Sequence, residues 1–220
     1  MDDIEVFKDR KDAGEKLAEA LTTYKDKEPL VLAIPRGGVA VGYQVVRHLQ
    51  SDFSIIVVRK LPFPSNPESG FGAIAENGIT YFVDRALKSL SSDAVERIVE
   101  EQKLEISRRV EVLRGGKSLP AMKDRTVILV DDGIAMGSTM RAAILQCRSN
   151  KPAKIVAAAP VAGPSTAADL EKFADHVVIL EKPLFFRAVA QAYENWYDVQ
   201  DREVLKIMQE YEQLKQRALW

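Results

Sequence analysis

The residues of this chain best suited to chemistry lie together between Val127 and Thr139, in the stretch VILVDDGIAMGST. Val127, Ile128, Leu129 and Val130 are consecutive and apolar, the pattern of a strand buried on both faces. Asp131 and Asp132 stand at its C-terminal end, followed by a turn of small residues and a helix opening near Gly137 to Met140. In an open α/β sheet, ligands gather beyond the carboxyl ends of the strands. A helix N-terminus placed there offers unpaired N–H groups and a partial positive charge, which suits a phosphate. Two carboxylates would repel that phosphate, and are suited instead to accept hydrogen bonds from hydroxyls. A ligand with a phosphate at one end and a pair of hydroxyls nearby is a ribose 5-phosphate. A strand ending in Asp-Asp-Gly also occurs in receiver domains and as an ordinary turn, so its neighbours must be read with it.

A second candidate follows the first apolar run. Leu30 to Ile34 reads as a buried strand and passes through Pro35 into Arg36-Gly37-Gly38. Glycines there let successive N–H groups turn toward one point, forming an anion-binding nest. Arg36 adds a fork of donors matched to phosphate oxygens. A plain strand-to-helix turn accounts for the glycines but not for the arginine. The third candidate is Val57-Val58-Arg59-Lys60, a strand entering two cations and then a Pro-rich stretch to Gly72 that reads as a loop. Lids are drawn from such segments, although a solvated strand end would carry the same cations. Gly70-Phe71-Gly72-Ala73-Ile74-Ala75 matches the dinucleotide fingerprint. That fingerprint must follow a strand and open a helix, whereas this one follows a loop and opens a hairpin.

The remaining periodicity supplies the elements that hold these residues. Ala13, Leu17, Ala20, Leu21 and Tyr24 mark an amphipathic helix over 9–24, and Val41, Val45 and Leu49 another after Gly38. Ile55 to Val58 reads as a second strand. Ala73 to Glu76 and Ile79 to Val83 flank Asn77-Gly78, a type I′ hairpin signal; Glu76, beside the lid, reads as an exposed hairpin carboxylate sooner than as one facing the site. Asp93 with Glu96 caps a long helix over 93–113. A strand at 126–130, the helix after the acid pair, a strand at 154–159, a helix near 165–173 and a strand at 177–180 follow. Val204, Ile207, Met208, Tyr211 and Leu214 mark a C-terminal helix. This β-α alternation predicts a doubly wound α/β fold with a parallel sheet. One domain over 1–220 is expected, with a lid and hairpin at about 59–83 and a hood and helix at about 183–217.

The acid motif resembles the phosphoribosyl pyrophosphate (PRPP) binding motif of the type I phosphoribosyltransferases: four hydrophobics, two acids, and a small-residue loop. Met136-Gly137-Ser138-Thr139 stands where the family has Thr-Gly-Gly-Thr or similar, so Met136 departs from the pattern by lacking a hydroxyl. Helix 9–24, Pro35 to Val41, Arg59-Lys60, Gly72 to Glu76 and Arg114-Gly115-Gly116 extend the resemblance over nearly the whole chain, toward an uncharacterised branch of that family. The resemblance implies that Arg36, Gly37 and Gly38 bind the pyrophosphate of PRPP, and that Arg59 and Lys60 neutralise it. Asp131 and Asp132 would hold the ribose. Gly133, Ile134, Ala135, Met136, Gly137, Ser138 and Thr139 would hold the 5-phosphate. It also implies a Mg²⁺ carried mainly by PRPP rather than by a dedicated protein site, a purine or pyrimidine base as acceptor, and a homodimer.

Phe185, Phe186, Trp196 and Tyr197 fall where the family places a hood over the base, and could equally pin the C-terminal helix. Two other readings stay open. One is a regulatory binder that senses PRPP or a nucleotide without turnover; the other is a phosphate-ester hydrolase using Asp131 or Asp132 as nucleophile, with Lys182 its only candidate partner at a later strand end. Composition narrows the field. Lysine and arginine number 31 against 32 acids, a net charge of −1 that advertises no nucleic-acid footprint. The single cysteine, Cys147, excludes an internal disulfide and lies on the apolar stripe Met140, Ala143, Ile144, Cys147. The charged N-terminus and the lack of a long apolar run argue against a signal peptide or membrane span and for the cytoplasm. Arg108, Arg109, Arg114 and Lys117 alternate with glutamates and read as a solvated helix face.

Overall fold

The structure is a computed structural model that describes residues 6–217. In chain order its elements are α1 (Arg10–Ala20), β1 (Leu30–Ala33), α2 (Gly37–Leu49), β2 (Asp52–Ile55), β3 (Val58–Phe63), β4 (Asn66–Ala75), β5 (Thr80–Phe82), α3 (Asp84–Leu87) and α4 (Ser92–Arg114). Then come β6 (Thr126–Val130), α5 (Ser138–Ser149), β7 (Lys154–Val161), α6 (Pro164–Leu170), β8 (His176–Glu181) and α7 (Asp201–Arg217). Five strands form one sheet in the order β2-β1-β6-β7-β8, and every neighbouring pair is parallel. The strands β3-β4-β5 form a separate antiparallel sheet.

Strand alternation divides the interior into two layers. Val31, Ala33, Ile128 and Val130 face α1, α2, α4 and α7 through Leu17, Val45, Ile106 and Val204. Leu30, Leu32, Val127 and Leu129 face α5 and α6 through Met140, Ile144, Cys147 and Leu170. Both faces of the parallel sheet are covered, as its continuous apolar runs require. No helix among the described residues is long and apolar enough to cross a membrane.

Three expectations need correction. The second strand of the parallel sheet is Asp52–Ile55 rather than 55–58, and Val58 already opens the antiparallel sheet. The expected lid loop over 61–71 is instead the β3-β4 ribbon, in which Leu61 and Phe71 are fully buried and Phe63 packs edge-on against Phe71 at 5.8 Å. Its prolines misled the reading: Pro62 sits at a register shift, where the ladder tolerates a residue without an N–H. The turn at Asn77-Gly78 is not type I′, because only Gly78 has positive φ (86°). Gly78 N–H donates to Ala75 O and Ala75 N–H to Ile79 O, a three-residue turn closed by a left-handed glycine. A smaller shift concerns α4, which is capped by the Ser91 hydroxyl accepting from Ala94 N–H rather than by Asp93.

Glu76 is not exposed. It forms a bidentate pair with Arg114 at 2.9 Å on both arms and accepts from Val57 N–H, while Arg114 also donates to Ile55 O. One buried ion pair thereby ties the ends of β2, β4 and α4 together. Removing one partner strands a buried charge, which costs about 3–5 kcal/mol. Glu76→Ala and Arg114→Met should each lower the unfolding free energy in urea by that amount, measured at unchanged m-value.

Candidate active site

The carboxyl end of β6 is the centre of the site. Asp131 follows directly, and its Oδ1 accepts from Asp132 N–H at 2.9 Å. The loop from Gly133 to Gly137 then rises to the N-terminus of α5, fixed at its start by Ile134 N–H donating to Val161 O. Gly137 has φ +77°, a left-handed conformation that lets the chain turn into the helix. A cavity of about 260 Å³ opens here, lined by Lys60, Gly70, Gly72, Asp131 and the whole run Gly133 to Met140. The β3-β4 ribbon forms its far wall.

The structure brings together most, but not all, of the residues singled out in the sequence. Asp131, Gly133, Ile134, Ala135, Met136, Gly137, Ser138, Thr139 and Lys60 share the cavity. Met136 stands at its rim, 58% exposed. Arg59, adjacent to Lys60 on a strand, points the opposite way and donates from Nε to Gln102 Oε1 on α4 at 3.1 Å. Burial and the nearby charges of Arg109, Arg108 and Arg36 pull its pKa below the usual arginine value. Arg36 lies 3.6 Å from Asp201 at the start of α7. The Pro35–Arg36 peptide bond before Gly37 is cis.

Asp132 does not open into the cavity. Its Oδ2 accepts from Arg10 Nε at 2.8 Å, and both side chains are largely buried. The Arg10 guanidinium stacks over the Trp196 ring at 4.0 Å and donates to Tyr197 O. The Tyr193 hydroxyl donates to Asp132 O. Gly37 abuts this knot so closely that a methyl group there would lie 1.8 Å from Asp132 Oδ2. The hood aromatics therefore have a role that the sequence did not suggest: Tyr193, Trp196 and Tyr197 enclose Arg10, while Phe185 is 86% exposed.

The two acids thus occupy unlike settings. Burial first, and the charge of Asp132 second, push the Asp131 carboxyl well above the usual carboxylate range. Arg10, Tyr193, Arg141 and Thr166 escaped the sequence reading. Arg10 left one trace: a cation at the first position of a helix opposes the helix dipole unless an acid elsewhere answers it. Lys182 follows β8, two strands from β6, or about 10 Å away at ordinary strand spacing. Lys182 is exposed there and, among the described residues, forms no hydrogen bond or ion pair with Asp131 or Asp132.

The phosphoribosyl transferase domain family model matches residues 3–194 of this chain. Two Mycobacterium tuberculosis proteins, from strains CDC 1551 / Oshkosh and ATCC 25618 / H37Rv, are each named "Putative phosphoribosyl transferase". Each is 37% identical over 207 residues, covering 93% of this chain but 47% of its own length. The chain thus spans about half of those relatives. The crystal structure of TT1426 from Thermus thermophilus superposes with a TM-score of 0.78 at 37% identity, covering 94% of this chain and 99% of that one.

The acid pair generates a contrast in stability. Because the Asp131 pKa is raised on folding, its contribution is full below the unfolded value near 4 and is lost as pH rises through the folded value. At pH 7.5, Asp131→Asn should therefore melt above the wild type. Asp132→Asn should lose about 3 kcal/mol by leaving buried Arg10 without its counter-charge. Thermal melts of the two variants, expected to move in opposite directions, check the assignment.

Proposed function

This chain belongs to the phosphoribosyl transferase domain family, and on that premise we propose that it transfers ribose 5-phosphate from PRPP to a purine or pyrimidine base, releasing pyrophosphate. The observation that carries the reading is the shared cavity: an acid at a strand end faces a helix N-terminus and a lysine within one concave space. Breaking the anomeric C–O bond leaves positive charge on the sugar and negative charge on the pyrophosphate. No protein nucleophile is needed, so positioning and charge stabilisation supply the catalysis.

In this reading the loop 133–139 anchors the 5-phosphate, and Asp131 accepts from a ribose hydroxyl and favours the cationic sugar. Lys60 stabilises developing negative charge from the ribbon side, while Arg59, turned to Gln102 on α4, and Arg36, beside Asp201, lie off the cavity lining and act only through their longer-range charge. Asp132 positions the site through Arg10 instead of gripping the sugar directly. The β3-β4 ribbon covers one wall and limits water that would hydrolyse the sugar. Among the described residues no three or more His, Cys, Asp and Glu side chains gather into a metal cage. A Mg²⁺ carried by PRPP would keep phosphate oxygens and waters as ligands, and Asp131, on the cavity wall, is the carboxylate that would help hold it. Such an ion supplies charge neutralisation at the leaving pyrophosphate.

A PRPP sensor without turnover is the second reading, favoured by one observation: Asp132 and Arg36 are already engaged by Arg10 and Asp201. Incubation with PRPP, Mg²⁺ and a panel of purine and pyrimidine bases separates the two. Pyrophosphate release that requires one base is expected; tight PRPP binding with no release for any base selects the sensor, and no PRPP binding refutes both. PRPP affinity should also rise with pH until the buried Asp131 ionises, with proton release seen as buffer-dependent binding enthalpy. Asp131→Asn should flatten that dependence.

A further inference from the structure

The loop that lines the cavity is braced from behind by two side chains outside the family motif. Thr166 Oγ1, on α6, donates to Ala135 O at 2.9 Å. Arg141, one turn into α5, donates from a terminal nitrogen to Met136 O at 2.8 Å. Arg141 is 5% exposed, with its guanidinium over the rings of Tyr81 and Phe173 at 5.3 and 5.7 Å and one arm 3.4 Å from Asp169. Both braces also crowd Gly137: a methyl group there would lie 2.9 Å from a terminal nitrogen of Arg141 and 2.9 Å from the Thr166 methyl.

A trans peptide is planar, so its N–H points opposite to its C=O. Holding Ala135 O and Met136 O behind the loop therefore aims the N–H groups of Met136 and Gly137 forward. Neither amide donates a hydrogen bond among the described residues. They add to the free N–H groups at the start of α5, with the buried Arg141 cation beneath them. We propose that Arg141 and Thr166 are positioning residues for an anionic phosphate monoester: they set the loop so that backbone amides replace the hydroxyl that Met136 lacks. The proposal rests on the phosphoribosyl reading for the identity of that monoester, and on the loop geometry for everything else.

Calorimetry of the full chain with ribose 5-phosphate, PRPP and pyrophosphate tests it. Arg141→Met should weaken ribose 5-phosphate and PRPP by about 10- to 100-fold, as loss of a charged hydrogen bond does. Thr166→Val should weaken them about 5-fold, the effect of one neutral bond. Thr166→Ser, which keeps the hydroxyl, should bind as the wild type, and Arg141→Lys should recover part of the loss. KM for PRPP should rise while kcat holds, and pyrophosphate affinity should stay near wild type in every variant; Arg141→Met also melts lower, because it removes a buried, hydrogen-bonded cation, whereas Thr166→Ser melts as the wild type. Unchanged ribose 5-phosphate affinity in Arg141→Met and Thr166→Val, or an equal loss of pyrophosphate affinity, overturns the proposal. A wild type that does not bind ribose 5-phosphate overturns it too. Binding of ribose 5-phosphate with the expected variant losses, but no binding of PRPP, sinks the transferase reading and leaves the brace standing. Turnover of PRPP by all variants at wild-type KM does the reverse.

Discussion

The ion pair between Arg10 and Asp132 is the contact on which the arrangement of the site depends. It joins the first turn of α1 to the acid motif after β6, against the glycine that opens α2 and under the aromatic hood. An arginine at the start of a helix faces the positive end of the helix dipole, which is unfavourable by up to about 1 kcal/mol. Asp9, whose side chain caps Lys11 and Asp12 N–H, relieves part of this, and Asp132 answers the rest. Stacking on Trp196 adds a cation–π contact in a site largely shielded from water. Four stretches distant in sequence are held in register by one guanidinium.

That pair also explains why two adjacent acids differ. Two carboxylates at a buried strand end cannot both stay charged without a cation close by. Arg10 sits against Asp132 and acts on Asp131 only weakly, so burial and its neighbour's charge prevail there and Asp131 holds its proton higher. The open face of Asp131 is the face that lines the cavity. In the proposed reaction, a cationic sugar or a metal-bearing diphosphate arriving there would add positive charge beside it. The pair is then divided between holding the architecture and meeting the ligand.

Much of this was legible in the sequence where a local pattern determined a local outcome. The run from Val127 to Val130 could only be a doubly buried strand, and the stripe Met140, Ala143, Ile144, Cys147 placed α5 on one face of the sheet. The cavity-lining loop followed from the small residues between them. What failed was decided by partners far along the chain. Glu76 looks exposed at a hairpin until Arg114, 38 residues later, folds over it. The prolines at 62, 64 and 67 suggest a loop, yet Leu61 and Phe71 bury enough apolar surface to hold a ribbon around a register shift. Arg10 and Thr166 carry no motif, because each acts on a residue more than 30 positions away.

The ribbon adds one more constraint, through strand geometry. Successive residues of a strand face opposite sides, so Arg59 and Lys60 cannot serve one point. Lys60 reaches the cavity, and Arg59 turns to α4 and the neighbourhood of Arg36, Arg108 and Arg109. Glu105 answers the last two; the hydrogen bond from Arg108, then that from Arg109, lowers its pKa to about 2. Positive charge is therefore laid out on both sides of β3 rather than heaped at one place. The helix face that looks solvated in sequence is, on its Arg109 side, part of that spread of charge.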